Sequence, residues 1–205
     1  MSRPQLLALA LASAVIAALA VLFVDAPLAL WVAAHEQRGF WDPAVAVLEV
    51  VVGVEPFVLT VPLVLALGAI VTTASRRWYA QSRRWLYVAL VYLLARNIMM
   101  WAKLFSGRLR PHQWVKAGGA MFGFVGEGAS FPSGHVTLFG GLLVPLVVAV
   151  PRLRPVLVIV PFIMVARIAV QAHFVSDVCA GLALVSLVSW LLYPVLAIPL
   201  APRRA

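Results

Sequence analysis

Apolar residues in this chain come in long runs rather than alternating with polar ones on a short period. The runs cover roughly residues 5 to 24, 44 to 73, 85 to 104, 134 to 150, 155 to 172 and 178 to 200, the second interrupted by Gly53, Glu55 and Pro56. About 20 helical residues, each rising about 1.5 Å, cross the hydrocarbon core of a bilayer, so the pattern predicts six membrane-spanning helices. The expected fold is all-α, an integral membrane six-transmembrane-helix bundle forming one domain over residues 1–205, with no internal repeat. Ala18-Leu19-Ala20 has the small-residue character of a signal-peptidase site. The apolar run continues through Val24, however, which favours an uncleaved anchor.

Composition agrees with this pattern. With 64% hydrophobic residues, 11% charged residues and a mean hydropathy of +1.03, the chain lies outside the range of soluble globular domains. The formal charge of +9 would suggest nucleic acid in a soluble protein, but its distribution explains it differently. Arg3, then Arg76, Arg77, Arg83 and Arg84, then Arg152 and Arg154, then Arg203 and Arg204 fall at every second boundary between runs. By the positive-inside rule, both termini and these loops are expected in the cytoplasm, with no nucleic-acid partner. Asp25, Glu36 and Asp42 begin the set of seven acidic residues, all assigned to the opposite side. Cys179 is the only cysteine; no intrachain disulfide is possible, and a small core residue in the last span is expected there.

Three polar motifs stand out from the apolar background: Lys103 to Pro111 (KLFSGRLRP), Pro132 to His135 (PSGH) and Arg167 to Asp177 (RIAVQAHFVSD). Lys103, Arg108, Arg110, His112 and Lys116 sit where the topology predicts few cations. Pro111 favours an extended backbone at Arg110, which suits a fixed clamp better than a loose tail. An Arg fork and a compact Lys charge together suit a phosphoryl group held without a metal. Ser133 precedes an apolar run and is a candidate helix N-cap, with His135 in the first turn. The amides of such a terminus attract anions, and Gly134 lets them come close. His135 can serve there as general acid and then general base. If the stretch from His173 is helical, Asp177 lies one turn on, where it can accept the Nδ1 hydrogen and leave Nε2 free to attack phosphorus. Arg167, near the end of a span, is costly unless it pairs or lines a polar cavity. The carboxylates are scattered, and no metal or other cofactor is expected.

In order and spacing, these motifs resemble the three-part signature of the type 2 phosphatidic acid phosphatase superfamily, which includes bacterial lipid phosphate phosphatases. The resemblance implies phosphate contacts for Lys103, Arg110, Ser133, Gly134 and Arg167, a phosphohistidine at His173 oriented by Asp177, and acid–base work by His135. Arg108 and Lys116 fall outside its fixed positions and are expected to be lipid-surface or loop residues. Ala166 departs from the Ser found in many members. The implied activity is hydrolysis of a lipid phosphomonoester or diphosphate at the outer face of the plasma membrane, with phosphatidic acid, phosphatidylglycerophosphate, a polyprenyl diphosphate or a lipid A phosphate as candidates. Alternatives are a lipid-to-lipid phosphotransferase and a lipid-phosphate binding or transport protein without turnover. A correctly spaced His135, His173 and Asp177 argues against the last.

Some polar and aromatic residues lie outside the signature. Arg96, inside the third run, is expected to pair with Glu49 or Glu55. Trp31, Trp41, Trp78, Trp85, Trp101 and Trp114 are expected in an interfacial belt. His35 and His112 read as loop residues, with His112 close enough to Pro111 to reach the rim of a site. The small-residue loop between Lys116 and Ser130, with Met121, Phe122 and Phe124, is expected to line a lipid entrance.

Overall fold

The computed structural model describes residues 1–35, 38–52, 60–74, 79–119, 123–124 and 127–197. The described residues are all-α and contain no strand. The helices are α1 (Arg3–Phe23), α2 (Asp25–Ala34), α3 (Arg38–Val52), α4 (Thr60–Ala74), α5 (Tyr79–Ser106), α6 (Pro111–Lys116), α7 (Gly134–Ala149), α8 (Ile159–Ala169) and α9 (Val175–Leu192). Pro151–Val158, a 3₁₀ stretch, leads into α8, and another, Tyr193–Ala197, follows α9. Among the described residues, three stretches are long and apolar enough to cross a membrane: Arg3–Phe23, Gln81–Lys116 and Val175–Leu196. Within the second apolar run, expected as one span, the described residues are helical on both sides, in α3 and α4, and residues 53–59 between them lie outside the described residues.

Apolarity all round a helix does not say which side packs; residue size does. On α1 the buried positions are Leu6, Ala10, Ser13, Ala17 and Ala20, spaced by fours and threes, whereas Leu11, Val15, Ile16, Leu19 and Leu22 point outward. The small stripe packs against α9, as expected where lipid supplies no hydrophobic drive and close approach must do so. At the centre, α7 is buried along most of its length between α5 and α9. A methyl group on Gly181 of α9 would meet the Ser133 carbonyl oxygen and Thr137 Oγ1 at 3.2 Å, so this glycine sets how close α9 lies to the start of α7. Cys179 is a buried core residue, as expected.

Charge separates along the bundle. Arg3 stacks on Trp190 near the end of α9, 4.9 Å from the ring centre, and Arg83 at the start of α5 donates to the Leu196 carbonyl at 3.3 Å. Lys103, Arg110, Arg167 and both motif histidines gather at the other end. Of the tryptophans, Trp31 and Trp101 are largely exposed, but Trp114 is buried against Ala29 and Phe174 and packs the site instead of anchoring the chain. The side chains of Glu49, Glu55 and Trp78, and residues Arg76, Arg77, Met121, Phe122, Arg203 and Arg204, lie outside the described residues, as does the expected pairing of Arg96.

Candidate active site

Each motif reaches the site from a helix end. Lys103 comes from the last turn of α5, His135 from the first turn of α7, Arg167 from the last turn of α8 and Asp177 from the first turn of α9. Pro111 starts α6, leaving Arg110 extended at φ −73°, ψ 154°, as its position before proline predicts. Lys103, Arg110 and Arg167 all lie within electrostatic reach of His135, and Lys103 and Arg167 within reach of His173. The Lys103 side chain lies over the start of α7, its Cε 3.6 Å from where a Gly134 Cβ would stand, and its Nζ donates to the Ala129 carbonyl at 2.5 Å.

Ser133 holds the N-cap position with extended backbone, and its amide donates to the Asp177 carbonyl at 3.0 Å. Its hydroxyl does not cap the helix. Fully buried, Ser133 Oγ has no hydrogen-bond partner among the described residues. A buried polar atom left unpaired costs about 1–3 kcal/mol, so it marks a place where a ligand oxygen would be stabilised.

His173 sits in the tight turn between α8 and α9, so the helix begins after it, at Val175, and not at His173 itself. The turn is closed on the end of α8: the amides of Ala172 and His173 both donate to the Arg167 carbonyl at 3.1 Å. Gln171 takes the left-handed conformation, φ 56°, at its apex. His112 braces this turn, its backbone N–H donating to the Gln171 carbonyl at 3.3 Å and its Nδ1 lying 3.0 Å from the same oxygen, while Gln171 Nε2 donates to the Ala29 carbonyl at 3.1 Å. His112 is therefore a structural clamp on the turn that carries His173.

Asp177 meets His173 as the spacing predicts, but not in a close hydrogen bond: Nδ1 and Oδ2 are 3.6 Å apart. Oδ2 accepts from Ser130 Oγ at 2.6 Å and from the Phe174 amide at 2.9 Å, and Ser130 Oγ lies 3.5 Å from His173 Nδ1. Burial pushes the His173 imidazole down to about 4, with Asp177 pulling it up and Lys103 and Arg167 pushing it down. Burial therefore favours the uncharged ring.

Arg108 is not the lipid-surface or loop residue expected from its sequence position. It is 1% exposed, and its guanidinium donates to Asp177 Oδ1 at 2.6 Å, Ser176 Oγ at 2.6 Å and Asp25 Oδ2 at 2.8 Å. Asp25, assigned to the outer side by charge distribution, is a fully packed residue at the start of α2 whose carboxylate also accepts from the Ser176 amide at 3.0 Å and from the Ser176 hydroxyl. Sequence spacing missed Arg108, Asp25, Ser130 and Ser176. The available signal was the cost of burying an arginine and an aspartate, which demands a partner for each.

Two buried or half-buried histidines, a cluster of cations and a buried hydroxyl with no described partner at a helix N-terminus thus come together at one end of a bundle of apolar helices of the kind membrane proteins have. The chain belongs to the PAP2 superfamily, whose family model matches residues 84–198, more than half of its length. Members of that superfamily are generally phosphatases. No curated protein and no solved structure matches the chain.

Proposed function

We propose that the protein is an integral membrane phosphatase that removes the phosphoryl group of a lipid phosphomonoester or diphosphate through a phosphohistidine at His173, without a metal. The observation that carries this reading is the gathering of Lys103, Arg110 and Arg167 around His135 and His173 at the start of α7, with Asp177 Oδ2 3.6 Å behind His173 Nδ1. In the first step Nε2 of His173 bonds to phosphorus as the phosphorus–oxygen bond to the lipid breaks, and His135 delivers a proton to the departing oxygen. In the second, His135 takes a proton from water, whose oxygen displaces the histidine and releases inorganic phosphate. Lys103, Arg110, Arg167, the Ser133 hydroxyl and the Gly134 amide hold the phosphoryl oxygens. Positioning and fixed charge supply most of the catalysis, as in other phosphoryl transfers.

A lipid substrate is supported by the apolar surroundings, since an amphiphile reaches such a site by lateral diffusion. The separation of Arg3 and Arg83 from the motif cations supports a cytoplasmic basic end and an outward-facing site. The test is release of phosphate from a panel of lipid phosphates and diphosphates by detergent-purified protein in EDTA, alongside His173→Ala and His135→Ala. Turnover in EDTA that His173→Ala abolishes and His135→Ala lowers by about 10²–10⁴ supports the mechanism. Turnover that survives loss of His173, or requires a metal, overturns it.

A further inference from the structure

We infer that Arg108 and Asp25 are positioning residues for the His173–Asp177 pair: Asp25 anchors the Arg108 guanidinium, and the guanidinium turns one oxygen of Asp177 toward His173. The inference rests on the phosphohistidine reading. Asp25 lies outside the stretch matched by the family model, so this support comes from the chain's own N-terminal helices.

The hydrogen bonds divide the work between the two oxygens of Asp177. Arg108 Nη1 holds Oδ1 at 2.6 Å, leaving Oδ2 to Ser130, to the Phe174 amide and to His173. Released from Arg108, the carboxylate could rotate to share its oxygens differently, and the atom nearest His173 would no longer be set. Arg108 is itself held on its far side, where Nη2 donates to Asp25 at 2.8 Å. Phe124 and Phe174 flank the guanidinium, 5.0 and 4.4 Å from its central carbon, and confine its plane.

Charge balance points the same way. Two buried carboxylates come together at the start of α9, Asp25 bonded to the Ser176 amide and Asp177 to the Phe174 amide. The guanidinium bonded to both is what allows two like charges to share so small a space. Only a planar fork reaches both carboxylates and Ser176 at once; a lysine ammonium at this position keeps the charge and loses the geometry. With its side chain 1% exposed and its bonds directed at carboxylates and a hydroxyl, Arg108 stands behind Asp177 rather than on the substrate phosphate.

The test uses the full-length protein in detergent with Arg108→Lys and Asp25→Asn. Because a misplacement of about 1 Å in a catalytic group costs about 10²-fold, kcat for a lipid phosphate is expected to fall about a hundredfold in R108K, and less in D25N. KM and inhibition by inorganic phosphate are expected to stay at wild-type values, since the phosphate-binding groups are untouched. An unchanged kcat in both variants overturns the inference. So does a parallel loss of phosphate inhibition, which would place Arg108 on the phosphate itself. A second readout needs no turnover: in ¹⁵N spectra of labelled imidazoles, wild-type His173 is expected to hold its proton on Nδ1, whereas the variants populate both tautomers. Identical tautomers in wild type and D25N overturn the inference even if R108K fails to fold. A wild type that hydrolyses nothing yet shows the tautomer shift would count against the phosphatase reading and leave the positioning role standing.

Discussion

Replacing Gly128 with alanine tests whether the segment before the second motif is a structural part of the site. Gly128 donates its amide to the Gly107 carbonyl at 3.1 Å, and two residues on Ser130 donates to the Arg108 carbonyl at 2.9 Å, so the two segments lie backbone to backbone. An alanine Cβ would stand 2.2 Å from the Arg108 carbonyl oxygen and 2.5 Å from Leu109 Cα. Ordinary contact between such atoms is about 3.5 Å, so one backbone has to move by about 1 Å. Overpacking of this kind costs about 1–3 kcal/mol, and each of the two backbone hydrogen bonds put at risk is worth about 0.5–1.5 kcal/mol. With both hydrogen bonds lost, the expected loss of stability is therefore about 2–6 kcal/mol. The displacement also reaches the chemistry, because the moved residues include Ala129, whose carbonyl holds Lys103, and Ser130, which holds Asp177. A shift of about 1 Å there predicts a fall in kcat of about 10²-fold. Thermal unfolding in detergent and phosphate release from a lipid phosphate measure the two effects separately. Wild-type unfolding and turnover in G128A would refute the close backbone approach and the coupling argued from it.

Other substitutions separate binding from chemistry. Ser133→Ala removes a buried hydroxyl with no described partner, so thermal stability is expected to hold or rise while inhibition by inorganic phosphate weakens about tenfold, the worth of one hydrogen bond to a charged group; a destabilised protein with unchanged phosphate inhibition would refute the assignment. His135→Ala is expected to lower kcat by about 10²–10⁴, and alkali-quenched reactions, in which a phosphorus–nitrogen bond survives, should still trap phosphate on the protein if water attack slows more than the first step. His173 is expected to titrate near pH 4 in ¹⁵N spectra, and a midpoint near 6.5 would refute its burial. Because folding depresses its proton affinity, this group costs the folded state stability as pH falls below 6.5, with the cost growing until about pH 4 and absent above 6.5.

Short-range spacing made much of the site legible. Lys103 and Arg110, Ser133 and His135, and Arg167, His173 and Asp177 lie within a few turns of one another, and proline or an apolar run marks each motif's boundary. Where helix periodicity was extended past a boundary it misplaced an element, as at His173, which lies in a turn before α9. Arg108 was misread because its meaning depends on residues 83 and 69 positions away, Asp25 and Asp177, and no local pattern announces a partner at that distance. Trp114 was misread for a related reason: an amphipathic ring near a boundary suits an interface equally well, and only the arrival of Ala29 and Phe174 buries it. Apolarity made the all-α class legible, because long apolar runs with no period-2 alternation leave no room for a half-buried strand.

The supports of the two halves of the site differ. His173 is held on several sides at once, by the Arg167 carbonyl through its own amide, by the turn that His112 braces and by the Asp177 carboxylate, itself bound to Arg108, Ser130 and the Phe174 amide. Lys103 and Arg110 reach in on long side chains from the end of α5 and the N-cap of α6, Lys103 tied at its tip by one bond to the Ala129 carbonyl. In-line attack tolerates little error in the position of the nucleophile, whereas a diffuse negative charge is stabilised by cations over a range of placements. On the proposed function, a site built this way would accept phosphate groups of differing size and charge on its cationic side while the attacking nitrogen stays in place. Substitutions among the cations should therefore change which phosphate is preferred, and substitutions behind Asp177 should lower turnover for every substrate alike.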